Sequence, residues 1–233
     1  MGKPGTRVVE RTFENPMAIS VPTPRDSEAK LQHILLHSAQ IFAEQGFEGA
    51  SVRDISRATG VSLSGLYYYF ESKQKLLYFI QSNAFTFILD RLQSRLHQVR
   101  EPEARLRVLV QNHIEYFLSH PNEMKVLSHD EEALDPPHSE QIAAIKRRYY
   151  ALAREIFDAV VAGGLAQRLN PRVAVLSLFG MMNWVYKWHN STIDPSAEEL
   201  TDAIVGIFLH GILNAPVEEH ALSTAGSPSL TSG

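Results

Sequence analysis

The sequence predicts an all-α protein, and three observations support this class. Apolar residues recur at spacings of three and four through most of the 233 residues, whereas no segment alternates apolar and polar residues as a half-buried strand does. Helix-capping patterns stand where these periodic segments begin, and Gly or Pro stands where they end. A hydrophobic content of 44% with 21% charged residues is ordinary for a globular protein.

The segment 51–75 is the most informative, because its pattern predicts two short helices followed by the start of a longer one. Ser51 with Asp54 three residues later forms a capping-box pattern, and Gly60 stands where the first helix should end. Ser62 can cap the second helix. Two short helices joined by a tight turn are typical of a helix-turn-helix, whose second helix enters the major groove of DNA. A packed hairpin with ordinary caps fits the same spacing.

The wider segment 41–77 reads IFAEQGFEGASVRDISRATGVSLSGLYYYFESKQKLL. It holds, in register, an Ala-x-Gly-Val-Ser turn, a Leu-Tyr-x-Tyr-Phe helix and a Ser-Lys-x-x-Leu-Leu start to the next helix. In these features it resembles the N-terminal domain of the TetR family of bacterial transcriptional regulators. Leu63 replaces a residue that is often Lys or polar in that family, and Tyr69 stands where His is frequent. Both lie on the second helix and therefore affect the details of the expected DNA contacts.

The resemblance implies a DNA-reading surface on and around the second helix. Small residues at the start of that helix let its backbone approach the bases, and tyrosine hydroxyls further along can reach phosphates. Ser51, Tyr67 and Lys73 are expected to contact phosphate. The residues expected to face DNA are Ser51, Arg53, Ser62, Ser64, Gly65, Tyr67, Tyr68 and Lys73, of which Arg53, Ser64 and Gly65 should lie nearest the base edges.

The charge of the chain does not by itself indicate a nucleic-acid partner. The net charge is −4, with +1 on residues 1–80 and −5 on the remainder. Basic character is local, at Arg53, Arg57, Lys73 and Lys75. A reader with few cationic contacts fits this pattern, because backbone N–H groups at helix N-termini also bind phosphate.

The composition excludes several classes of site. The chain has no cysteine, which excludes disulfides and thiolate metal sites and fits a reducing cytoplasm. The N-terminus lacks an apolar signal core, and there is no stretch of about 20 apolar residues, so a membrane span is not expected. No Gly-x-Ser-x-Gly or Gly-Lys-Ser/Thr motif is present, which argues against an enzyme. We therefore expect a cytoplasmic protein with no catalytic residues and no cofactor.

Two groups of side chains could be read as metal sites, but a solvated surface is the better interpretation of both. His33 and His37 lie one helical turn apart, yet no third ligand is evident nearby. The run HDEE at 129–132 contains ligand types, although such acidic runs are most often loops or helix starts. We therefore expect no metal site.

The patterns divide the chain into four segments. Residues 1–25 and 216–233 should be flexible tails, because they are rich in Pro, Gly or small polar residues and lack helical periodicity. The helix-turn-helix domain should span 26–86, and a ligand-binding and dimerisation domain 87–215. Helices are expected at about 27–44, 52–59, 62–70, 73–99, 102–120, 122–128 and 139–162, followed by two that begin at 171 and 197. The helix at 73–99 belongs to both domains, so its movement would shift the reader.

The second domain is larger than DNA reading requires, so its helices should have other tasks. In the resembled family the last two helices pair with their copies as a four-helix bundle, which here implies a homodimer through 171–189 and 197–214; burial within the monomer is the alternative. The remaining helices of that family enclose a ligand. The residues expected to line this cavity are His113, Tyr116, Phe117, Met124, Leu127, Arg147, Tyr149, Tyr150, Leu152, Met181, Met182, Trp184, Tyr186 and Lys187, although each apolar one alone also suits a plain core.

The segment 180–188, GMMNWVYKW, resembles a segment of TetR members that sense acyl-CoA thioesters. Met and aromatic side chains adapt to apolar ligands, and Arg147, Arg148 and Lys187 could meet the phosphates of CoA. The function implied is a repressor that binds a palindromic operator as a dimer and is released by an acyl-CoA. A TetR-type repressor that senses a neutral or cationic hydrophobic molecule is the alternative, and a helical adaptor without DNA binding is the rival of a different class.

Overall fold

The structure is a computed structural model that describes residues 24–129, 133–165 and 169–211. Within these ranges the chain is helical and contains no strand, as the sequence predicts. The expected tails lie outside the described residues, except for residues 24 and 25, which belong to the first helix; residues 130–132, 166–168 and 212–215 also lie outside them. The helices are α1 (Pro24–Gly49), α2 (Val52–Thr59), α3 (Leu63–Tyr69), α4 (Lys73–Leu96), α5 (Pro102–Ser119), α6 (Pro121–His129), α7 (Pro136–Ala162), α8 (Pro171–Trp188) and α9 (Ala197–His210).

Local caps fix most helix boundaries where the sequence places them. The Asp54 N–H donates to the Ser51 hydroxyl at 3.2 Å, and the Ser51 N–H donates to the Asp54 carboxylate at 3.0 Å. This confirms the capping box at the start of α2. Gly60 ends α2 with a left-handed φ of 67°, a conformation that glycine adopts without steric cost. A second capping box, between Ser196 and Glu199, starts α9.

Several boundaries differ by three to five residues from those expected; α1 begins at Pro24, α4 ends at Leu96 and α9 ends at His210, and two further differences have a local cause. The helix α7 begins at Pro136 and not at 139, because Asp135 caps it by accepting the His138 N–H at 3.2 Å. The helix α1 extends to Gly49, but Gly46 interrupts it with a φ of 74°. That interruption lies where the sequence predicts the helix to end, so the last turn of α1 is a separate corner before α2.

The core of the helix-turn-helix continues into the second half of the chain. Ile55 of α2 and Leu66 of α3 are buried in one hydrophobic cluster with residues of α1 and the start of α4. Val126 of α6 and Ile142 of α7 belong to the same cluster and are fully buried. The helix-turn-helix is therefore held by apolar contacts to the helices that follow it.

A second core is built around α5. Leu106, Leu109 and Val110 of this helix are fully buried, and residues of α4, α7, α8 and α9 pack against them. A smaller cluster between the two cores contains Ala84 and Ile88 of α4 with residues of α5 and α6. The helix α4 thus contributes to all three clusters and connects the two ends of the molecule.

Candidate functional site

The outer face of α3 carries exposed polar and aromatic side chains on a buried anchor. Leu66 and Phe70 are buried, whereas Tyr67 and Tyr68 are 52% and 83% exposed. A tyrosine so exposed does not contribute to the core, and its ring and hydroxyl are accessible to a partner. Ser62, Ser64 and Arg53 are exposed as well, so the described geometry leaves these predicted DNA-facing residues accessible.

Two predicted contact residues have tasks within the protein. The Ser51 hydroxyl accepts the Asp54 N–H and donates to the Asp54 carboxylate at 2.5 Å, so it is engaged in the α2 cap. Gly65 is half-buried under the turn. A Cβ at Gly65 would lie 3.0 Å from Val61 Cγ1 and 3.1 Å from Ser62 Oγ, so this glycine allows the turn to close on α3.

The predicted phosphate contact of Lys73 does not fit the geometry. Its ammonium group donates to the carbonyl oxygens of Phe47 at 2.6 Å and Ala50 at 3.1 Å, and it lies 4.2 Å from the centre of the Phe47 ring. A cation is favourable there because the carbonyls at a helix C-terminus carry partial negative charge. Lys73 therefore fastens the start of α4 to the corner between α1 and α2.

A cavity of about 670 Å³ lies among α4, α5, α6, α7 and α8. The structure brings nine of the predicted ligand residues to its wall: His113, Phe117, Met124, Leu127, Tyr149, Tyr150, Trp184, Tyr186 and Lys187. The wall also contains residues that were not among the predicted ligand contacts, namely Phe85, Ile88, Ser128, Ile145, Lys146, Leu176, Phe179, Gly180 and Asn183.

The structure places Arg147 off the cavity wall, because its side chain is exposed and donates to Glu140 at 2.6 Å. Successive helical residues are rotated by about 100°, so only one of the three consecutive cations can share the inward face with Tyr149 and Ile142. That cation is Lys146, which lines the cavity. The helical phase of the buried Ile142 would have identified it.

Four other predicted ligand residues also lie off the cavity wall. Tyr116 donates its hydroxyl to Glu123, and its ring stacks on His120 with 4.3 Å between centres, in a groove between α1 and α5. Burial and the neighbouring carboxylate of Glu123 raise the pKa of Tyr116. Met181, Met182 and Leu152 pack in or against the core around α5 and do not line the cavity.

A polar network crosses the cavity wall. His113 Nε2 lies 3.0 Å from Asn183 Oδ1, and His113 Nδ1 lies 3.3 Å from the Tyr149 hydroxyl. A neutral imidazole that donates from Nε2 to Asn183 and accepts the Tyr149 proton at Nδ1 satisfies both contacts. Burial supports this state, since it lowers the pKa of His113 to about 3 and raises that of Tyr149.

The charged groups among the described residues of the cavity wall are cations. Lys146 Nζ lies 5.0 Å from the centre of the Phe85 ring, and Lys187 Nζ lies 5.2 Å from the centre of the Tyr186 ring. None of the described residues on this wall is an Asp or Glu. The cavity therefore combines an aromatic, Met-containing wall with two lysines, which favours an apolar ligand that also carries negative charge.

Other site classes find no support in the part of the chain that the structure describes. No three His, Asp or Glu side chains converge there as metal ligands. His33 and His37 contact each other with 4.4 Å between ring centres, and the acidic residues 130–132 lie outside the described ranges. No described helix has the length and apolar content to cross a membrane.

We expect His113 to make the stability of the protein depend on pH. Between pH 6.5 and about 3 the unfolded chain binds a proton at His113 that the folded chain does not, so stability should fall as the pH drops through this window and be fully retained above it. The contribution approaches about 1.4 kcal/mol per pH unit. Urea unfolding from pH 7 to pH 4 should show a shallower loss for His113→Gln, and the exposed His97→Gln should behave as wild type. Equal slopes for wild type and His113→Gln would contradict the neutral assignment.

Comparison with known proteins gives the family. The family model described as "Bacterial regulatory proteins, tetR family" matches residues 34–78, and the one described as "Tetracyclin repressor-like, C-terminal domain" matches residues 99–212. Together they cover the helix-turn-helix and most of the helices that enclose the cavity. Proteins of this family are transcriptional regulators and not enzymes.

Individual relatives agree with both matches. The uncharacterized HTH-type transcriptional regulator YvdT of Bacillus subtilis is 30% identical over 142 residues, 60% of this chain and 71% of that protein. The transcriptional repressor KstR2 of Mycolicibacterium smegmatis is 23% identical over 205 residues, 85% of this chain and 98% of that protein. The crystal structure of AibR in complex with isovaleryl coenzyme A and operator DNA has a TM-score of 0.71 at 26% identity, covering 77% of this chain and 98% of that one. The chain therefore belongs to the TetR family of bacterial regulatory proteins.

Proposed function

We propose that this ligand-responsive repressor binds a partly palindromic operator as a homodimer and is released from it by an acyl-CoA thioester. The observation that carries the effector proposal is the cavity wall, which is aromatic and apolar and holds Lys146 and Lys187 without a carboxylate among its described residues. An acyl chain matches the apolar part, and the phosphates of CoA match the lysines. A protein that reads chromosomal DNA acts in the cytoplasm.

Other ligand classes fit the wall less well. A cationic ligand would meet the positive charge of two lysines on the wall, and like charges in a partly desolvated site cost free energy. A neutral hydrophobic ligand would fill the apolar part and make no use of the positive charge that the two lysines bring to the wall. The AibR structure, a complex with isovaleryl coenzyme A and operator DNA, supports a CoA thioester as the class to test first.

The proposed DNA contacts are the accessible residues of α2 and α3. Tyr67, Tyr68 and Ser64 project from α3, and Arg53 projects from the first turn of α2. One such surface offers too few contacts for tight specific binding, so two readers in successive major grooves are required.

Exposed apolar residues of α8 and α9 support the proposed dimer. Val173, Trp184 and Trp188 on α8 and Ile207 on α9 are each between 46% and 62% exposed, which is unusual for large apolar side chains on adjacent helices. Trp184 also lines the cavity, so a partner on this face would lie beside the ligand. A dimer bundle through these helices would cover the exposed residues.

Release follows from differential affinity. A ligand that fits the cavity only when α4 takes one position shifts the population toward that position, and the spacing of the two readers changes with it. A coupling of about 1–3 kcal/mol loosens operator binding roughly 5- to 150-fold.

We expect Tyr68→Ala to weaken binding to the selected operator without lowering stability, because Tyr68 is 83% exposed. A lost base contact costs about 1–3 kcal/mol. Lys73→Met, in contrast, should lower the melting temperature, since it leaves the carbonyls of Phe47 and Ala50 without their donor. Gel-shift titration and thermal melts of both variants separate these effects. If Tyr68→Ala bound the operator as tightly as wild type, α3 would not belong to the DNA-contacting surface.

We expect Val173→Glu and Ile207→Glu to raise the dimer dissociation constant by about 10-fold or more, because each places a charge in the proposed apolar interface. Ile193→Glu is the matched control, since Ile193 is 80% exposed but lies in the loop between α8 and α9. Sedimentation equilibrium measures all three. A dimer that tolerates both helix variants as well as the loop variant would place the interface elsewhere.

We expect Lys146→Met with Lys187→Met to weaken binding of octanoyl-CoA at least about 10-fold, because the CoA phosphates lose two cationic partners. Binding of octanoyl-pantetheine, which lacks those phosphates, should change little. Arg147→Met is the control, because Arg147 neighbours Lys146 but pairs with Glu140 at the surface. Calorimetry gives the affinities and a gel shift gives operator release. If neutral or cationic compounds release DNA and CoA thioesters do not, the acyl-CoA assignment is wrong.

A further inference from the structure

The start of α4 is joined by three polar contacts to the start of α7 and to the residues just before it. Gln74 Nε2 donates to the carbonyl of Ala133 at 3.3 Å, and the Tyr78 hydroxyl donates to Gln141 Oε1 at 2.5 Å. Between them, the Lys75 ammonium lies 3.0 Å from His138 Nε2. These residues are far apart in the sequence, so the contacts tie the reader's end of the molecule to the segment that leads into α7.

The central contact requires a defined state of His138. Asp135 Oδ1 lies 2.5 Å from His138 Nδ1, a close polar contact that is not an aligned hydrogen bond. A carboxylate on that side favours the tautomer with the proton on Nδ1, which leaves Nε2 free to accept from Lys75. The Tyr78 ring packs against His138 with 4.4 Å between ring centres, and Lys75 Nζ lies 4.9 Å from the centre of the same ring. The Tyr78 ring therefore lies against both Lys75 and His138.

One end of this contact leads to the ligand cavity. His138 stands in the first turn of α7, which is continuous from Pro136 to Ala162. Lys146, Tyr149 and Tyr150 of the same helix line the cavity, two to three turns further on. Displacement of α7 by a ligand therefore moves His138 as part of one rigid element.

The other end leads to the reader. Lys75 lies in the first turn of α4, one turn from the Ser72 cap. Two residues earlier, Lys73 binds the carbonyls of Phe47 and Ala50 at the corner that precedes α2. Two lysines at the start of α4 therefore make contacts on two sides. Lys73 contacts the corner before α2, and Lys75 contacts α7.

We propose that Lys75 and His138 are the positioning residues that transmit occupancy of the cavity to the helix-turn-helix. The inference rests on the proposed function in one respect, namely that the cavity binds an effector. Two sites are coupled when an element with two arrangements contacts both, and the Lys75–His138 contact joins the two rigid helices that do so here. Neither residue touches ligand or DNA in this role.

The test uses Lys75→Met, His138→Phe, the double variant and His138→Gln. His138→Phe keeps an aromatic ring against Tyr78 and removes the acceptor, whereas the Gln oxygen can replace Nε2. Lys125→Met is the control, because it removes an exposed lysine of α6 outside the contact. The probe is operator DNA selected in vitro with the wild-type protein, and the readout is hydrogen–deuterium exchange of residues 142–150 with and without DNA.

Linkage is reciprocal, so DNA binding should alter exchange in this part of α7 in wild type, Lys125→Met and His138→Gln. The response should be lost in Lys75→Met and His138→Phe, and the double variant should resemble either single one. In the same variants, release of operator by octanoyl-CoA should fall from the 5- to 150-fold range to less than about threefold, with octanoyl-CoA affinity retained.

Three results would overturn the inference: no response of α7 in wild type, an undiminished response in Lys75→Met or His138→Phe, or additive losses in the double variant. The exchange readout needs DNA alone. Failure of every CoA thioester to bind would therefore sink the effector proposal and leave the test of this contact intact.

Discussion

The burial of one helix in three hydrophobic clusters is the constraint on which the rest of the structure depends. Leu77 of α4 packs with the helix-turn-helix, Ile88 packs in the middle cluster, and Leu92 packs with the core around α5. A helix of 24 residues is about 36 Å long, so it spans both domains without a joint. Because close-packed cores resist local deformation, movement at one end of α4 is carried to the other.

The buried imidazole of His113 finds its hydrogen-bonding partners on the cavity wall. His113 is 5% exposed and stands among aromatic side chains, where an unpaired polar group costs about 1–3 kcal/mol, and Tyr149 and Asn183 satisfy its two nitrogens. Their mutual hydrogen bonds fix the orientations of α5, α7 and α8 around the empty volume. A ligand therefore meets a wall whose shape is set by this network, and the lysines supply the charge.

Features encoded by neighbouring residues could be predicted from the sequence, whereas those that depend on distant partners could not. The caps at Ser51, Ser62 and Ser196 involve residues within three positions, and the sequence places them correctly. Lys73 was assigned to phosphate because its carbonyl partners lie more than 20 residues earlier, at a corner that only the tertiary fold brings near. Arg147 is a different case, because the sequence alone carries the signal that corrects it: Ile142 and Tyr149 share a helical face with Lys146 and not with Arg147.

Most basic residues of the helix-turn-helix segment are engaged within the protein, so DNA binding depends on how the remaining exposed side chains are placed. Arg57 pairs with Asp54, Lys73 binds the α1 corner and Lys75 contacts His138, so three of the four basic residues of the segment serve the fold. Non-directional attraction to phosphate is correspondingly small, so in the proposed complex the affinity would come from the fit of exposed side chains such as Tyr68. Fit is lost over distances of about 1 Å, whereas Coulomb attraction falls slowly with distance. Under the proposed function, a small displacement of α4 would therefore be enough to release the helix-turn-helix from its operator.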